Sequence, residues 1–276
     1  MHIPLAGLWQ LSPLTDLSIP QDDITFPGPL SAVLPSNLSE DDIVKQEWHL
    51  MHDIEVDEAM LSNSAVDLVI SGIGYHAEIR INGEAIFDCD DFQEHYRKDV
   101  LPYLQLGRNR FEILFLEPDD DWLLDEEHDE IGNLAPLVSN EIEDRMGIWH
   151  TPYLDVLPTV RLDRVETEQV CHLVGGCELL VHLHYTVFKP GLLSAEIKFN
   201  GMTYRLPIDV RASKATAIFQ LDAPKYIQPE GRLLEDDCYQ LDVQLEQAHQ
   251  THQIGLVNGS DEGTTLHYQR EIPPVF

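Results

Sequence analysis

Ser71-Gly72-Ile73-Gly74-Tyr75-His76-Ala77-Glu78-Ile79-Arg80-Ile81-Asn82-Gly83-Glu84-Ala85-Ile86-Phe87 decides the fold. Polar and apolar residues alternate through Glu78-Ile79-Arg80-Ile81, the period of a strand with one wet face and one buried face. Asn82-Gly83 follows, and both positions of a type I′ hairpin turn need positive φ. Ala85-Ile86-Phe87 then reads as the returning strand. The same grammar extends outward on both sides. Upstream, residues 66–70 read as a strand. Downstream, Gly107-Arg108-Asn109 leads into an alternating run at 110–115, and Gly147-Ile148-Trp149 leads into 153–157. A second series starts near Val165. It holds a long strand at 179–187, a hairpin of 196–199 and 202–206 around Asn200-Gly201, and strands at 215–221 and 239–245. Helical periodicity is scarce. Strands at this spacing with turn punctuation predict an all-β chain of antiparallel sandwiches. Pro158 interrupts between the two series, which suggests domains at 1–160 and 161–276.

The chain has 276 residues, 43% of them hydrophobic, and a formal net charge of −32 with histidines neutral. Phosphate binding needs clustered Lys and Arg, so this charge argues against nucleic acid and anionic lipid and favours neutral partners. No apolar run approaches the ~20 residues of a membrane span. The start, Met1-His2-Ile3-Pro4-Leu5, has neither the basic opening nor the apolar stretch of a signal peptide. The four cysteines, Cys89, Cys171, Cys177 and Cys238, form no C-x-x-C pair and read as reduced structural thiols. Together these features predict a cytoplasmic protein.

Several blocks occur in order along the first half: Leu5-Ala6-Gly7-Leu8-Trp9, Pro27-Gly28, Glu47-Trp48, the 71–83 stretch, Phe92, Asp99-Val100, Leu104, Gly107-Arg108-Asn109, and Met146-Gly147-Ile148-Trp149-His150-Thr151-Pro152-Tyr153-Leu154. In that order they resemble the N-terminal sugar-binding domain of family 2 glycoside hydrolases, which include β-galactosidases, β-glucuronidases and β-mannosidases. The resemblance implies a galactose-binding-domain-like jelly roll followed by an immunoglobulin-like β-sandwich. Residues 224–231 with Tyr239-Gln240-Leu241 are similar, more loosely, to an element of that second domain, with Tyr226 near a usual Trp. The family usually has Arg after Gly-Ile-Trp; this sequence has His150. In the family both catalytic carboxyls come from a third domain, a barrel of ~250 residues. Two sandwiches would consume this chain, so the expectation is a protein without catalysis and without catalytic residues.

The resemblance also places the loops between the Gly-x-Asn turn and the Gly-Ile-Trp strand near a sugar. The candidates there are Asp121, Trp122, Glu141, Asp144, Arg145 and Trp149. Carboxylates accept hydrogen bonds from hydroxyls, and an aromatic face packs on the apolar face of a pyranose. The competing reading makes Trp149 a core residue and the charges a solvated loop. Asp119, Asp121 and Asp125 could offer oxygens to Ca²⁺ but lack the Gly and Glu of an EF-hand. His182 and His184 share one strand face, yet further zinc ligands are not visible beside them. No metal and no cofactor is therefore expected. The leading expectation is a non-catalytic carbohydrate-binding protein whose partner is a neutral glycan. The alternatives are an accessory subunit for a glycosidase barrel on another chain, and a structural homo-oligomeric sandwich.

Overall fold

The computed structural model describes residues 1–116, 146–172, 175–226, 238–257 and 266–267. The chain divides into two compact units, Met1–Leu157 and Pro158–Phe276. Both are built from antiparallel strands. No helix among the described residues is long and apolar enough to cross a membrane.

The first unit contains β1 (His2–Pro4), β2 (Trp9–Pro13), β3 (Asp22–Ile24), β4 (Gly28–Pro29), β5 (Trp48–Val56), β6 (Ala65–Ser71), β7 (Ile73–Gly74), β8 (Ala77–Ile81), β9 (Glu84–Cys89), β10 (His95–Asp99), β11 (Gly107–Phe115), β12 (Gly147–Ile148) and β13 (Tyr153–Leu157). A six-stranded sheet, β3-β2-β5-β11-β8-β9, and a four-stranded sheet, β1-β13-β6-β10, share one core; a small third sheet runs β4-β12-β7. Trp9, Trp48, Leu50, Phe111 and Phe115 from the larger sheet join Leu68, Ile70 and Leu154 from the smaller one. The two short helices are capped as their sequences dictate. Ser39 and Asp42 form a capping box at α1 (Glu40–Val44), and the Asp57 carboxylate accepts from Met60 N at α2 (Glu58–Leu61).

Sequence motifs become contacts here. In Leu5-Ala6-Gly7-Leu8-Trp9, Gly7 takes φ +110°, and the indole Nε1 of Trp9 donates to Leu5 O at 3.0 Å. Asn82 and Gly83 take φ +54° and +84°, the type I′ geometry that joins β8 to β9. Asn82 does more than turn the chain. Its Nδ2 donates to Asn109 Oδ1 at 3.0 Å, and its Oδ1 accepts from Arg110 N at 2.9 Å. Asn109 is fully buried; its Nδ2 donates to Gln105 O and Gly107 O, and its Oδ1 also accepts from Gln105 N. Two carboxamides thus lock the hairpin onto the Gly107 turn.

Strand β6 is buried on both faces and carries Asp67 into the interior. Asp67 stands opposite Asp155 on β13, and like charges there are unfavourable. Arg97 spans both carboxylates, with Nε 2.8 Å from Asp67 Oδ2 and Nη2 2.7 Å from Asp155 Oδ2.

The second unit is an immunoglobulin-like sandwich of β14 (Val160–Cys171), β15 (Cys177–Val187), β16 (Ser194–Phe199), β17 (Met202–Pro207), β18 (Lys214–Leu221), β19 (Tyr239–Leu245), β20 (Ala248–Ile254) and β21 (Leu266–His267). Its sheets run β18-β15-β14-β21 and β17-β16-β19-β20, around Leu179, Val181, Leu183, Ile197, Phe199, Phe219, Leu241 and Val243. Asn200 and Gly201, at φ +48° and +74°, make its hairpin turn. The first strand begins at Val160 rather than near Val165. A bulge between Leu162 and Arg164 breaks the alternation, so a period-two reading starts only beyond it. His182 and His184 do share a face, and each lies against a carboxylate: His184 Nε2 is 2.8 Å from Glu166 Oε2, and His182 Nε2 is 3.4 Å from Glu168 Oε2. Among the described residues, no cluster of three His, Cys, Asp or Glu side chains is placed to hold a metal ion.

Asn109→Ala should cost about 1–3 kcal/mol, because it strands buried backbone groups of the Gly107 turn. Urea unfolding should show a lower midpoint with an unchanged slope. A second expectation concerns acid. The Arg110 and Arg108 guanidiniums hold the Asp53 carboxyl well below the usual carboxylate range. A depressed folded-state pKa gives stability that is present above the unfolded value and lost as pH falls towards the folded one. Asp53→Asn should therefore flatten the stability loss between about pH 4 and pH 2, by at most about 1 kcal/mol given solvent screening. Urea midpoints across that range check it.

Candidate functional site

Of the six sugar-site candidates, Asp121, Trp122, Glu141, Asp144 and Arg145 lie outside the described residues, as do Asp119, Asp121 and Asp125 of the calcium reading. Trp149 is described, and its surroundings define the site. The chain bends between β6, β7 and β8. Gly72 makes the first bend at φ +62°, and Tyr75 the second at φ +133°. A bulky residue with positive φ stores strain of about 1–3 kcal/mol and persists only where its surroundings over-determine it. Tyr75 packs against the core, which holds it there.

Strand β12 lies between β4 and β7. Gly147 permits this. A Cβ at that position would sit 2.6 Å from Gly28 O and 2.7 Å from Pro29 Cα, both backbone atoms. Beyond β12, Trp149 N donates to Gly72 O at 2.8 Å. His150 lies over the bare α-carbon of Gly72, where a Cβ would meet its Nδ1 at 2.7 Å. Thr151 Oγ1 donates to Phe26 O at 3.2 Å and fastens the turn into β13. Leu116 N donates to His76 O, and Met146 O accepts from Leu30 N. The two residues that flank 117–145 thus both attach to this end of the jelly roll.

Trp149 is half-buried, and its indole Nε1 is shielded from solvent without a hydrogen-bond partner among the described residues. A buried N–H left unpaired costs about 1–3 kcal/mol. An acceptor such as a ligand hydroxyl would remove that cost. His150, where the resembling family has Arg, is exposed and contributes an imidazole in place of a fixed cation.

Two other concave surfaces are polar. A shallow cleft of about 430 Å³ on the six-stranded sheet is lined by Asp53, Asn82, Gly83, Arg108, Arg110 and Glu112. Its groups are mutually engaged. Asp53 pairs with both arginines; Glu112 is 2.8 Å from His49 Nε2 and accepts from Gly83 N at 2.9 Å. In the second unit a cavity of about 580 Å³ is bordered by Lys198, Asn200, Gly201, Lys225, Tyr239 and Asp242. Lys198 is held by Glu196 at 2.9 Å. Asp16, Asp42, Asp53, Glu166 and Glu196 all have depressed pKa values, each chiefly through a hydrogen bond to the carboxylate. Such groups accept hydrogen bonds; a glycosidase general acid needs the opposite shift.

Gly147→Ala should be destabilising by about 2–4 kcal/mol, because neither Gly28 nor Pro29 backbone can yield to a Cβ. Thermal unfolding of the purified variant checks it.

The family model described as the glycosyl hydrolase 2 galactose-binding domain-like domain matches residues 33–144. No curated protein sequence matches the chain. Among solved structures, the β-D-mannosidase of Dictyoglomus thermophilum is similar with a TM-score of 0.72 at 17% identity, covering 93% of this chain and 36% of that one. A putative β-galactosidase from Bacteroides fragilis gives a TM-score of 0.63 at 12% identity, covering 93% and 41%. The β-D-glucuronidase of Dictyoglomus thermophilum gives 0.59 at 10% identity, covering 93% and 44%. The chain spans less than half the length of each, and identities this low establish a shared fold. By sequence over 33–144, and by fold over 93% of its length, the chain resembles the galactose-binding-like and immunoglobulin-like sandwiches of family 2 glycosidases.

Proposed function

We propose that these two domains bind a neutral carbohydrate and do not themselves cleave it. The jelly roll, 1–160, supplies the surface, and the immunoglobulin-like sandwich, 161–276, accompanies it. Trp149 stands at the centre of the proposed site, with Asp121, Trp122, Glu141, Asp144 and Arg145 as its sugar-contacting companions. The observation that carries this reading is the indole N–H of Trp149, solvent-shielded and unpaired among the described residues, beside the strained bend at Gly72 and Tyr75. Two further facts support it. The galactose-binding-like family model spans the segment that holds most of the candidates. The net charge of −32 disfavours anionic ligands and leaves neutral ones unopposed.

A second reading follows from the structural likeness to 36–44% of whole glycosidases. In it the two sandwiches serve a catalytic barrel and help to complete its substrate pocket. Co-purification of a barrel-containing partner would favour this reading over a free-standing binder or a homo-oligomeric sandwich. The four free thiols support a cytoplasmic location.

Calorimetric titration with neutral mono- and oligosaccharides tests the proposal. Binding of at least one glycan is expected, weakened about tenfold by Trp149→Ala, the loss of one aromatic contact. Trp122→Ala should weaken it as well. Absence of binding to every glycan would overturn the carbohydrate reading. Turnover of aryl β-glycosides that survives repurification would overturn the non-catalytic one.

A further inference from the structure

The β14–β15 hairpin places two cysteines face to face. Cys171 and Cys177 are direct partners in the antiparallel register. The next pair, His172 and Gly176, is hydrogen-bonded, with His172 N donating to Gly176 O at 3.1 Å. Hydrogen-bonded and non-hydrogen-bonded pairs alternate, so Cys171 and Cys177 form a non-hydrogen-bonded pair, the type with α-carbons about 4.5 Å apart and side chains closest. That separation falls at the short end of the roughly 4.4–6.8 Å span a disulfide accepts. Both side chains point to the same face. Cys177 follows the inward alternation of Leu179, Val181 and Leu183 and is fully buried; Cys171 is half-buried. Both thiols are free.

We propose that Cys171 and Cys177 are a redox-active dithiol that closes into a cross-strand disulfide by exchange with a small disulfide of the glutathione class. The two cysteines differ in the way such a step requires. Cys171 is half-buried and so within reach of a small disulfide, and Gln169 Nε2 donates to its Sγ at 3.2 Å. Burial, with the neighbouring Cys171 adding to it, pushes the Cys177 thiol up to about 11. Cys171 therefore attacks first. Its thiolate bonds to one sulfur of the small disulfide and expels the other as a thiolate. Cys177 then gives up its proton and attacks Cys171 Sγ; the second small thiolate leaves and takes up that proton. Two protein thiols are oxidised by two electrons, one small disulfide is reduced to two thiols, and no other oxidant is needed. Reducing thiols reopen the bridge by the same exchange run in reverse. Closure also withdraws the Cys171 S–H that points to Val257 O at 3.8 Å, leaving Gln169 to hold Val257 through its own pair of hydrogen bonds.

The test uses the full chain in a series of reduced-to-oxidised glutathione ratios. After acid quenching, unfolding and alkylation, the chain is digested with trypsin. Both cysteines lie on the peptide that begins at Val165, since the only cleavable-looking site between them and Lys198 is Lys189, which precedes Pro190. The expected result is conversion of this peptide to an unalkylated form lighter by two hydrogen atoms, reversed by dithiothreitol, at ratios where Cys89 remains alkylatable. Alkylation of both cysteines throughout the series would overturn the proposal. So would arrest at a stable glutathione adduct on Cys171, or a link from either residue to Cys238. Cys171→Ser should leave Cys177 reduced at the wild-type midpoint; oxidation of Cys177 there would overturn the order of attack.

Discussion

The buried carboxamide of Asn109 is the contact on which the jelly roll turns. It saturates its hydrogen-bonding capacity against Gln105, Gly107 and Asn82, and so satisfies backbone groups that no sheet ladder reaches. Because Asn82 also accepts from Arg110 N, the β8–β9 hairpin and the start of β11 are fixed by one knot. Strand β11 then pairs with β8 on one side and along nine residues of β5 on the other. The register of the large sheet, and with it the inward placement of Ile79, Ile81, Phe111 and Ile113, follows from that knot.

The candidate site inherits its geometry from the opposite demand, for space rather than hydrogen bonds. Glycines at 72 and 147 let backbone and the Trp149–His150 segment approach more closely than a Cβ would permit. The result is a three-stranded patch that holds a half-buried tryptophan, an exposed histidine and a strained tyrosine at one end of the sandwich. Among the described residues, the carboxylates whose pKa values are shifted are all held as anions, which suits acceptance of hydrogen bonds rather than proton donation.

In the second domain, the excess of acidic side chains is managed locally. Glu166 and Glu168 reach diagonally to His184 and His182 on the neighbouring strand, and Glu196 pairs with Lys198 two residues along its own strand and with Arg205 directly opposite, so several of the carboxylates are partnered on the sheet faces. The same cross-strand logic brings Cys171 opposite Cys177, where adjacency is set by register and not by any sequence motif.

The all-β class, both Asn-Gly hairpins and the strands around them were legible in the sequence, because turn chemistry and period-two alternation are local properties of a few adjacent residues. The sequence did not reveal β2, β3 or β10, nor the extent of β5, nor β20 (Ala248–Ile254), whose Ala-His-Gln-Thr-His-Gln-Ile run has too little apolar alternation, nor the start of β14, where a bulge resets the phase. Of the candidate site, Trp149 was legible as a residue but its half-buried state was not, and Gly72, Tyr75 and Gly147 carried no signal of what they would touch. Those facts needed the tertiary structure. They arise where segments far apart in sequence meet, as Gly147 meets Gly28 and Arg97 meets Asp155, and no local pattern encodes the distance between two strands brought together by a common core.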